Sequence, residues 1–196
     1  MTTSVTYHEI ISQTNAWQAA VTAVSQQTQA LQDLWQSDSF DQVIFTGCGS
    51  TYYLSLAAAS LLQSLTGHAC RAVPGGELVL YPETAFTSNS AGKTVLVALS
   101  RSGTTTETVT AVTQFKAAHR GPVVVITNYG HSPLAQLADI TITIEEGARR
   151  KRGANTLVCL YVCGDNGRCL LSGWGRCGAG CHDRAARHWR SIHPTI

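Results

Sequence analysis

The chain has 196 residues, of which 44% are hydrophobic and 13% are charged, and its formal net charge is +2. This length predicts one domain, or one domain with an appendage, and the composition excludes an intrinsically disordered chain. The charge is uneven, because residues 1–146 carry five basic and ten acidic side chains (a balance of −5), whereas residues 147–196 carry nine and two (a balance of +7). Two different kinds of sequence therefore share this chain.

The N-terminus has no basic stretch followed by an apolar one, so no signal peptide is expected. The longest apolar runs, such as residues 95–99 and 123–126, are far shorter than the ~20 residues that a membrane helix needs. These features predict a cytoplasmic protein that does not enter a membrane and whose cysteines are mostly reduced thiols.

The chain is predicted to alternate between helices and strands. Apolar side chains recur every three or four positions from residue 15 to about 35, which predicts a helical segment within residues 1–39. Strands are predicted at residues 43–45, 70–73, 95–99, 123–126 and 140–144, and helices at 51–65, 107–118 and 133–137. This alternation, with strands that are continuous apolar runs, predicts an αβα sandwich around a five-stranded parallel sheet within residues 40–147. Ligands in such folds bind at the carboxyl ends of the strands.

Two polar loops follow the carboxyl ends of predicted strands. The first is residues 100–107, which place five hydroxyl side chains and Gly103 between a strand and a helix. Free N–H groups and the positive end of the helix dipole favour an anion there, and hydroxyls donate to phosphate oxygens. The alternative is an ordinary helix start, because Thr104 and Glu107 have the spacing of a capping box. Such a cap needs one hydroxyl and the loop offers five, so the loop favours anion binding.

The second polar loop is the turn at residues 47–51, for which an anion site and a tight turn with Ser50 as N-cap are equally well supported. A dinucleotide fingerprint would need a third glycine where Tyr52 stands, and a P-loop ending at residues 92–94 would need glycine in place of Thr87. Cys48 could be a nucleophile, but no histidine lies near it in sequence, and a small thiol packed in a turn is the commoner case.

Four short motifs, taken in order, resemble one family. They are GCGST at residues 47–51, PGGEL at 74–78, SRSGTT at 100–105 and VITN at 125–128. Together they resemble the SIS (sugar isomerase) domain across residues 40–147, especially the isomerase half of glucosamine-6-phosphate synthase and stand-alone tandem-SIS phosphosugar isomerases and deglycases. The resemblance implies a flavodoxin-like fold that binds a phosphorylated sugar or amino sugar, such as a hexose 6-phosphate, without a metal or another cofactor.

The resemblance also assigns site residues. The family's phosphate-gripping loop matches Ser100, Ser102 and Thr105, with Gly103 between them. Arg101 stands where the synthase usually has glutamine, and its contact with the phosphate would therefore be charge-assisted. This departure from the family leaves the identity of the sugar open. The turn after the first strand would contribute hydroxyls to the sugar or its phosphate, from Ser50 and Thr51.

The resemblance leaves the catalytic residues unknown. Similar enzymes use a glutamate base with helper histidine or lysine residues to move a proton through an enediol-type intermediate, or they remove an amine. Those groups lie beyond the first of two tandem domains, outside the part that matches here, so this chain is expected to be inactive alone. A non-catalytic sugar-phosphate sensor and a non-functional remnant remain alternatives, and the folded domain is expected to form a homodimer.

The tail at residues 148–196 is expected to be out of frame and poorly ordered. Where the family continues with a stretch like Glu-x-Ser-Val-Ala-Gln-Thr-Arg-Ser-Phe, this chain has ARRKRGANTLVC. Codons chosen for residues 148–163 and read one nucleotide later give HEESVAQTRSFASMY, which restores the motif. A single-base slip near Gly147 would therefore explain the tail. Its cysteines match no CxxC zinc pair, and its charge is only a weak indication of nucleic-acid binding.

Overall fold

The computed structural model describes residues 13–37, 40–86 and 93–145. The predicted out-of-frame tail at residues 148–196 lies outside these ranges. The N-terminal segment forms two helices, α1 (Gln13–Gln26) and α2 (Thr28–Gln36), where the sequence predicted one. The break lies at Gln27, whose backbone leaves the helical region with φ −101° and ψ 8°. Apolar residues of both helices pack into the same core, so the break does not interrupt the predicted apolar face.

The five strands form one parallel sheet, as the sequence predicted. They are β1 (Phe40–Gly47), β2 (Ala69–Pro74), β3 (Lys93–Ser100), β4 (Val123–Thr127) and β5 (Ile140–Thr143). Their order across the sheet is β2-β1-β3-β4-β5, and every neighbouring pair runs parallel. This is the flavodoxin-like order.

The remaining helices connect the strands. They are α3 (Ser50–Thr66), α4 (Gly75–Leu80), α5 (Pro82–Ala85), α6 (Thr106–Ala117) and α7 (Pro133–Gln136). The sequence predicted α3, α6 and α7 to within a residue, but not α4 and α5, which are too short to show a helical period. No helix in the described ranges combines the length and the apolar character needed to cross a membrane.

Two buried clusters lie on opposite faces of the sheet, because successive side chains of a strand point to opposite faces. Phe45 belongs to the cluster that α1, α2 and α3 cover. Its neighbour Ile44 belongs to the other cluster, together with Leu78 of α4 and Phe115 of α6. These two layers of helices around one sheet are the predicted αβα sandwich.

The strand order reverses direction between β1 and β3. From β1 the chain crosses through α3 to β2 on one side, and from β3 it crosses through α6 to β4 on the other. Because α3 and α6 cover opposite faces, their N-termini diverge above the carboxyl ends of β1 and β3. A crevice at such a reversal is where open α/β sheets bind their ligands, and both polar loops lie there.

Candidate functional site

The turn between β1 and α3 is closed by its own threonine. The Thr51 hydroxyl donates to the Cys48 carbonyl oxygen at 2.9 Å and accepts from the Cys48 N–H at 3.0 Å. Gly47 is required for this approach, since a Cβ there would lie 2.6 Å from Thr51 Oγ1. The N-cap position is held by Gly49 at φ 58°, without a side-chain cap. The interpretation of Ser50 as the N-cap is therefore wrong, and Ser50 is the exposed first residue of α3.

The loop between β3 and α6 has a different construction. Its N-cap residue is Thr105, and no side chain caps the helix, so the capping box between Thr104 and Glu107 does not form. The hydroxyls instead contact one another. Ser100 Oγ lies 3.3 Å from Thr105 Oγ1, and Ser102 Oγ accepts from the Thr104 hydroxyl at 3.0 Å and from the Thr104 N–H at 3.2 Å. The first N–H groups of α6 thus have no side-chain cap.

Exposure rises from the base of this loop to its rim. Ser100 is 2% exposed and does not cap the helix; its Oγ accepts from the buried Gly103 N–H at 3.1 Å. Arg101, Ser102 and Thr105 are half-buried. A ligand at the rim would therefore meet hydroxyls, an arginine and the positive end of the helix dipole of α6 above a buried floor.

The two loops converge at the switch point. Cys48 Sγ in the turn after β1 lies 3.5 Å from Thr108 Oγ1 in the first turns of α6. Gly75, which follows β2, packs against both, since a Cβ there would lie 3.1 Å from Cys48 Sγ and 3.4 Å from the Thr108 nitrogen. In sequence, Gly75 stands out only as part of the PGGEL motif at residues 74–78. Gly75 lets the segment after β2 contact both the turn after β1 and the start of α6, and this role depends on the tertiary fold. The glycine pair after β2 was the only feature of the local sequence that indicated a close contact.

The cysteines of the described ranges are packed side chains. Cys48 is wedged against Thr108, as expected for a small thiol in a turn. Burial raises the pKa of the Cys70 thiol on β2 to about 11, which keeps it protonated at neutral pH. Within residues 13–37, 40–86 and 93–145, no group of three or more His, Cys, Asp or Glu side chains could hold a metal ion. The cysteines of the tail lie outside those ranges.

The sheet order and these loops define an αβα domain whose switch-point crevice is lined by hydroxyls and by the uncapped start of α6. The family model of the SIS domain matches residues 38–162. That match covers more than half of the chain, and the chain belongs to the SIS domain family. A comparison with curated protein sequences finds no match.

Solved structures share the fold. The chain is similar to tagatose-6-phosphate ketose/aldose isomerase from Escherichia coli, with a TM-score of 0.68 and 24% identity over 81% of this chain and 47% of that one. It is also similar to the C-terminal domain of glucosamine-fructose-6-phosphate aminotransferase from Francisella tularensis, with a TM-score of 0.65 and 15% identity over 94% of this chain and 52% of that one.

A third similar structure is the Vibrio vulnificus NanR protein complexed with ManNAc-6P, with a TM-score of 0.60 and 16% identity over 100% of this chain and 71% of that one. At these identities the likeness establishes the fold. The chain spans about half the length of the first two of these structures, at 47% and 52%.

Proposed function

We propose that this SIS domain binds a phosphorylated sugar or amino sugar, such as a hexose 6-phosphate, with its phosphate in the β3–α6 loop. The observation that carries the proposal is the cluster of hydroxyls at the uncapped start of α6, where the alternative of a capping box does not form. The same helix end offers N–H groups and a positive dipole, which together favour an anion. ManNAc-6P in the complex of a similarly folded protein supports this class of ligand.

The β3–α6 loop and the β1–α3 turn contact different parts of the proposed ligand. Ser102 and Thr105 donate to phosphate oxygens, while buried Ser100 holds the Gly103 N–H and so shapes the loop. Arg101 adds a charge-assisted contact. In the β1–α3 turn, exposed Ser50 is available to the sugar. The Thr51 hydroxyl already donates to the Cys48 carbonyl oxygen and accepts from the Cys48 N–H, so it can only accept one further hydrogen bond from a ligand.

Calorimetric titration of the full chain with fructose 6-phosphate and glucosamine 6-phosphate tests this proposal. Each ester is expected to bind and to raise the melting temperature, since a ligand of the native state stabilises it. Fructose and glucosamine without phosphate are the matched controls and are expected to bind far more weakly. Equal binding of a sugar with and without its phosphate, or binding of neither, contradicts the proposal.

The reaction class suggested by the relatives is the interconversion of aldose and ketose phosphates or the release of ammonia from an amino sugar phosphate. We assign no catalytic residue, because the groups that move protons in this family lie outside the part resembled by residues 40–147. The chain is therefore proposed to bind its ligand without turnover. Measurable isomerisation or ammonia release by the purified chain would overturn this part of the proposal.

Two alternatives predict different outcomes of the same assays. A non-catalytic sensor of sugar phosphates binds tightly and selectively but shows no turnover even when a second SIS domain is supplied. A non-functional remnant binds none of the esters. The existence of a ligand complex with the same fold favours the sensor over the remnant.

The tail at residues 148–196 is the subject of a separate proposal. We propose that a single-base slip near the codon of Gly147 produced residues 148–196, since the shifted reading HEESVAQTRSFASMY restores a family motif. Sequencing the genomic DNA across these codons is expected to reveal that motif in the neighbouring frame. Its absence from every frame would contradict the slip and would leave residues 148–162 in the domain, to which the family match assigns them.

The same proposal places the folded domain in the cytoplasm as a homodimer. Helix α3 has no charged residue in STYYLSLAAASLLQSLT, and its Tyr53 and Leu56 are 71% and 42% exposed. An uncharged exposed face of this kind marks protein interfaces. Light scattering on the full chain is expected to give a dimer, and Tyr53→Glu a monomer. A monomeric wild type would contradict the dimer but not the ligand.

A further inference from the structure

The loop that follows β4 lies directly behind the proposed phosphate loop. The Arg101 carbonyl oxygen accepts two hydrogen bonds, one at 3.2 Å from the N–H of Asn128 in this loop and one at 3.3 Å from the hydroxyl of Thr127 at the end of β4. The Gly103 carbonyl oxygen accepts a third, from the Leu134 N–H at 3.0 Å. Two carbonyls of the phosphate loop are thus held from outside, the Arg101 carbonyl by the end of β4 and the Gly103 carbonyl by α7.

These contacts set the direction of the N–H groups. A trans peptide is planar, and its C=O and N–H point in opposite directions. With the Arg101 carbonyl held toward β4, the N–H of Ser102 is turned away from β4. The neighbouring strand on that opposite side is β1, so the Ser102 N–H is turned toward the β1 side of β3, where the strand order reverses.

Steric contact reinforces the hydrogen bonds. Gly103 has φ +64°, and a Cβ there would lie 2.0 Å from Ser132 Oγ and 3.1 Å from Thr127 Oγ1. Ser132 is fixed in turn, because its Oγ accepts from the Ala135 N–H at 3.3 Å. Thr127 is fully buried, and its Oγ1 also accepts from the Tyr129 N–H at 3.3 Å. The segment after β4 is therefore ordered by its own hydrogen bonds and packs closely against Gly103, where only a glycine fits.

From this geometry we infer that Thr127 and Ser132 are positioning residues, which do not touch the ligand. Thr127 holds the Arg101 carbonyl and so aims the Ser102 N–H at the phosphate, and Ser132 packs against Gly103 and keeps the loop in place. The inference rests on the proposed function and deepens it. Thr127 bonds to a carbonyl of the phosphate loop from outside that loop, and Ser132 contacts the same loop at Gly103. The role is specific to orientation, since neither side chain adds charge to the site.

The first test is the affinity of full-length Thr127→Val for fructose 6-phosphate, measured by calorimetry. Valine keeps the shape but removes the hydroxyl, and the dissociation constant is expected to rise about tenfold, as for the loss of one oriented N–H donor to an anion. Thr127→Ser is expected to restore the wild-type value. Thr141→Val is the matched control, because the Thr141 hydroxyl bonds to Ala135 O at 3.3 Å, away from the phosphate loop.

The second test does not need a ligand. In hydrogen exchange on the unliganded chain, Thr127→Val and Ser132→Ala are expected to raise the exchange rates of the amides of residues 101–104, whereas Thr141→Val is expected to leave them unchanged. Should Thr127→Val fail to fold, Ser132→Ala carries both measurements.

The outcomes separate this inference from the function on which it rests. A wild type that binds fructose 6-phosphate, with Thr127→Val binding equally well, overturns the positioning role and leaves the proposed function intact. Equal losses in Thr127→Val and Thr141→Val also overturn it, since they indicate general destabilisation. A wild type that binds no sugar phosphate overturns the proposed function and, with it, this inference.

Discussion

The two strand-to-helix connections at the switch point follow one plan but use their hydroxyls differently. In the β1–α3 turn, the Thr51 hydroxyl closes the turn on Cys48 and is itself buried. In the β3–α6 loop, the hydroxyls of Ser102 and Thr105 lie half-buried at an uncapped helix start. The comparison teaches that a serine- or threonine-rich connection can serve the fold or a ligand, and that the hydrogen-bond partners of the hydroxyl tell which.

The largest expected effect comes from disrupting the contact between Gly103 of the β3–α6 loop and Ser132. Gly103→Ala places a Cβ against Ser132 at a positive φ, which is expected to lower the free energy of unfolding by about 2–4 kcal/mol through strain and overpacking and to abolish sugar-phosphate binding. Denaturant unfolding and calorimetry measure the two losses. Gly76→Ala is the matched control, because nothing lies within 4 Å of a Cβ there, and its stability is expected to stay equal or rise slightly.

The next effect tests the closed turn. Thr51→Val leaves the N–H and carbonyl of Cys48 without their partner, and is expected to lower the free energy of unfolding by about 1–3 kcal/mol. The loss of stability should exceed the loss of binding free energy for fructose 6-phosphate. Thr51→Ser keeps the hydroxyl and is expected to recover most of the stability. A Thr51→Val chain as stable as wild type but unable to bind would show that the turn, too, serves the ligand.

The opposite pattern is expected in the open loop. Ser102→Ala removes one donor to the phosphate, and is expected to raise the dissociation constant about tenfold while changing stability by less than about 0.5 kcal/mol. Ser60→Ala, at an exposed serine on α3, is the control and should change neither quantity. If Ser102→Ala weakens the fold and not the binding, the distinction between the two connections fails.

The smallest effect concerns Glu107, an exposed carboxylate in the first turn of α6. It interacts with the same positive helix end as the proposed phosphate, so Glu107→Gln is expected to tighten binding about two- to fivefold at low ionic strength. The gain should largely disappear in 1 M salt, where charges are screened within ~3 Å. Weaker binding by Glu107→Gln at low salt would indicate that the carboxylate contacts the sugar.

The sheet could be predicted from sequence because its strands are buried on both faces and therefore appear as continuous apolar runs, such as Val123 to Ile126. The helix break at Gln27 could not be predicted, because the helical spacing of apolar residues continues on both sides of it. Its position depends on how the two helices pack into the core. The position of the two polar loops followed from the alternation of elements. Their assignment to one site as ligand contacts remains a prediction.

Side-chain roles within the loops were harder to predict. The capping-box spacing of Thr104 and Glu107 is correct in sequence, but the helix begins one residue later, with Thr105 at its N-cap. The contact of Gly103 with Ser132 joins loops that follow different strands. Local patterns carry no information about such a contact, because it depends on the register between β3 and β4.

The register of β1 on β3, in which Thr46 pairs with Ala98, has a consequence for folding. The two halves of the crevice come from strands that are central in space but distant in the chain, with all of β2 and its crossover between them. Closing so long a loop makes this pairing a slow, non-local step. The proposed site takes Ser50 from one half and the phosphate loop from the other, so recovery of full sugar-phosphate affinity during refolding should coincide with this pairing and serve as its kinetic reporter.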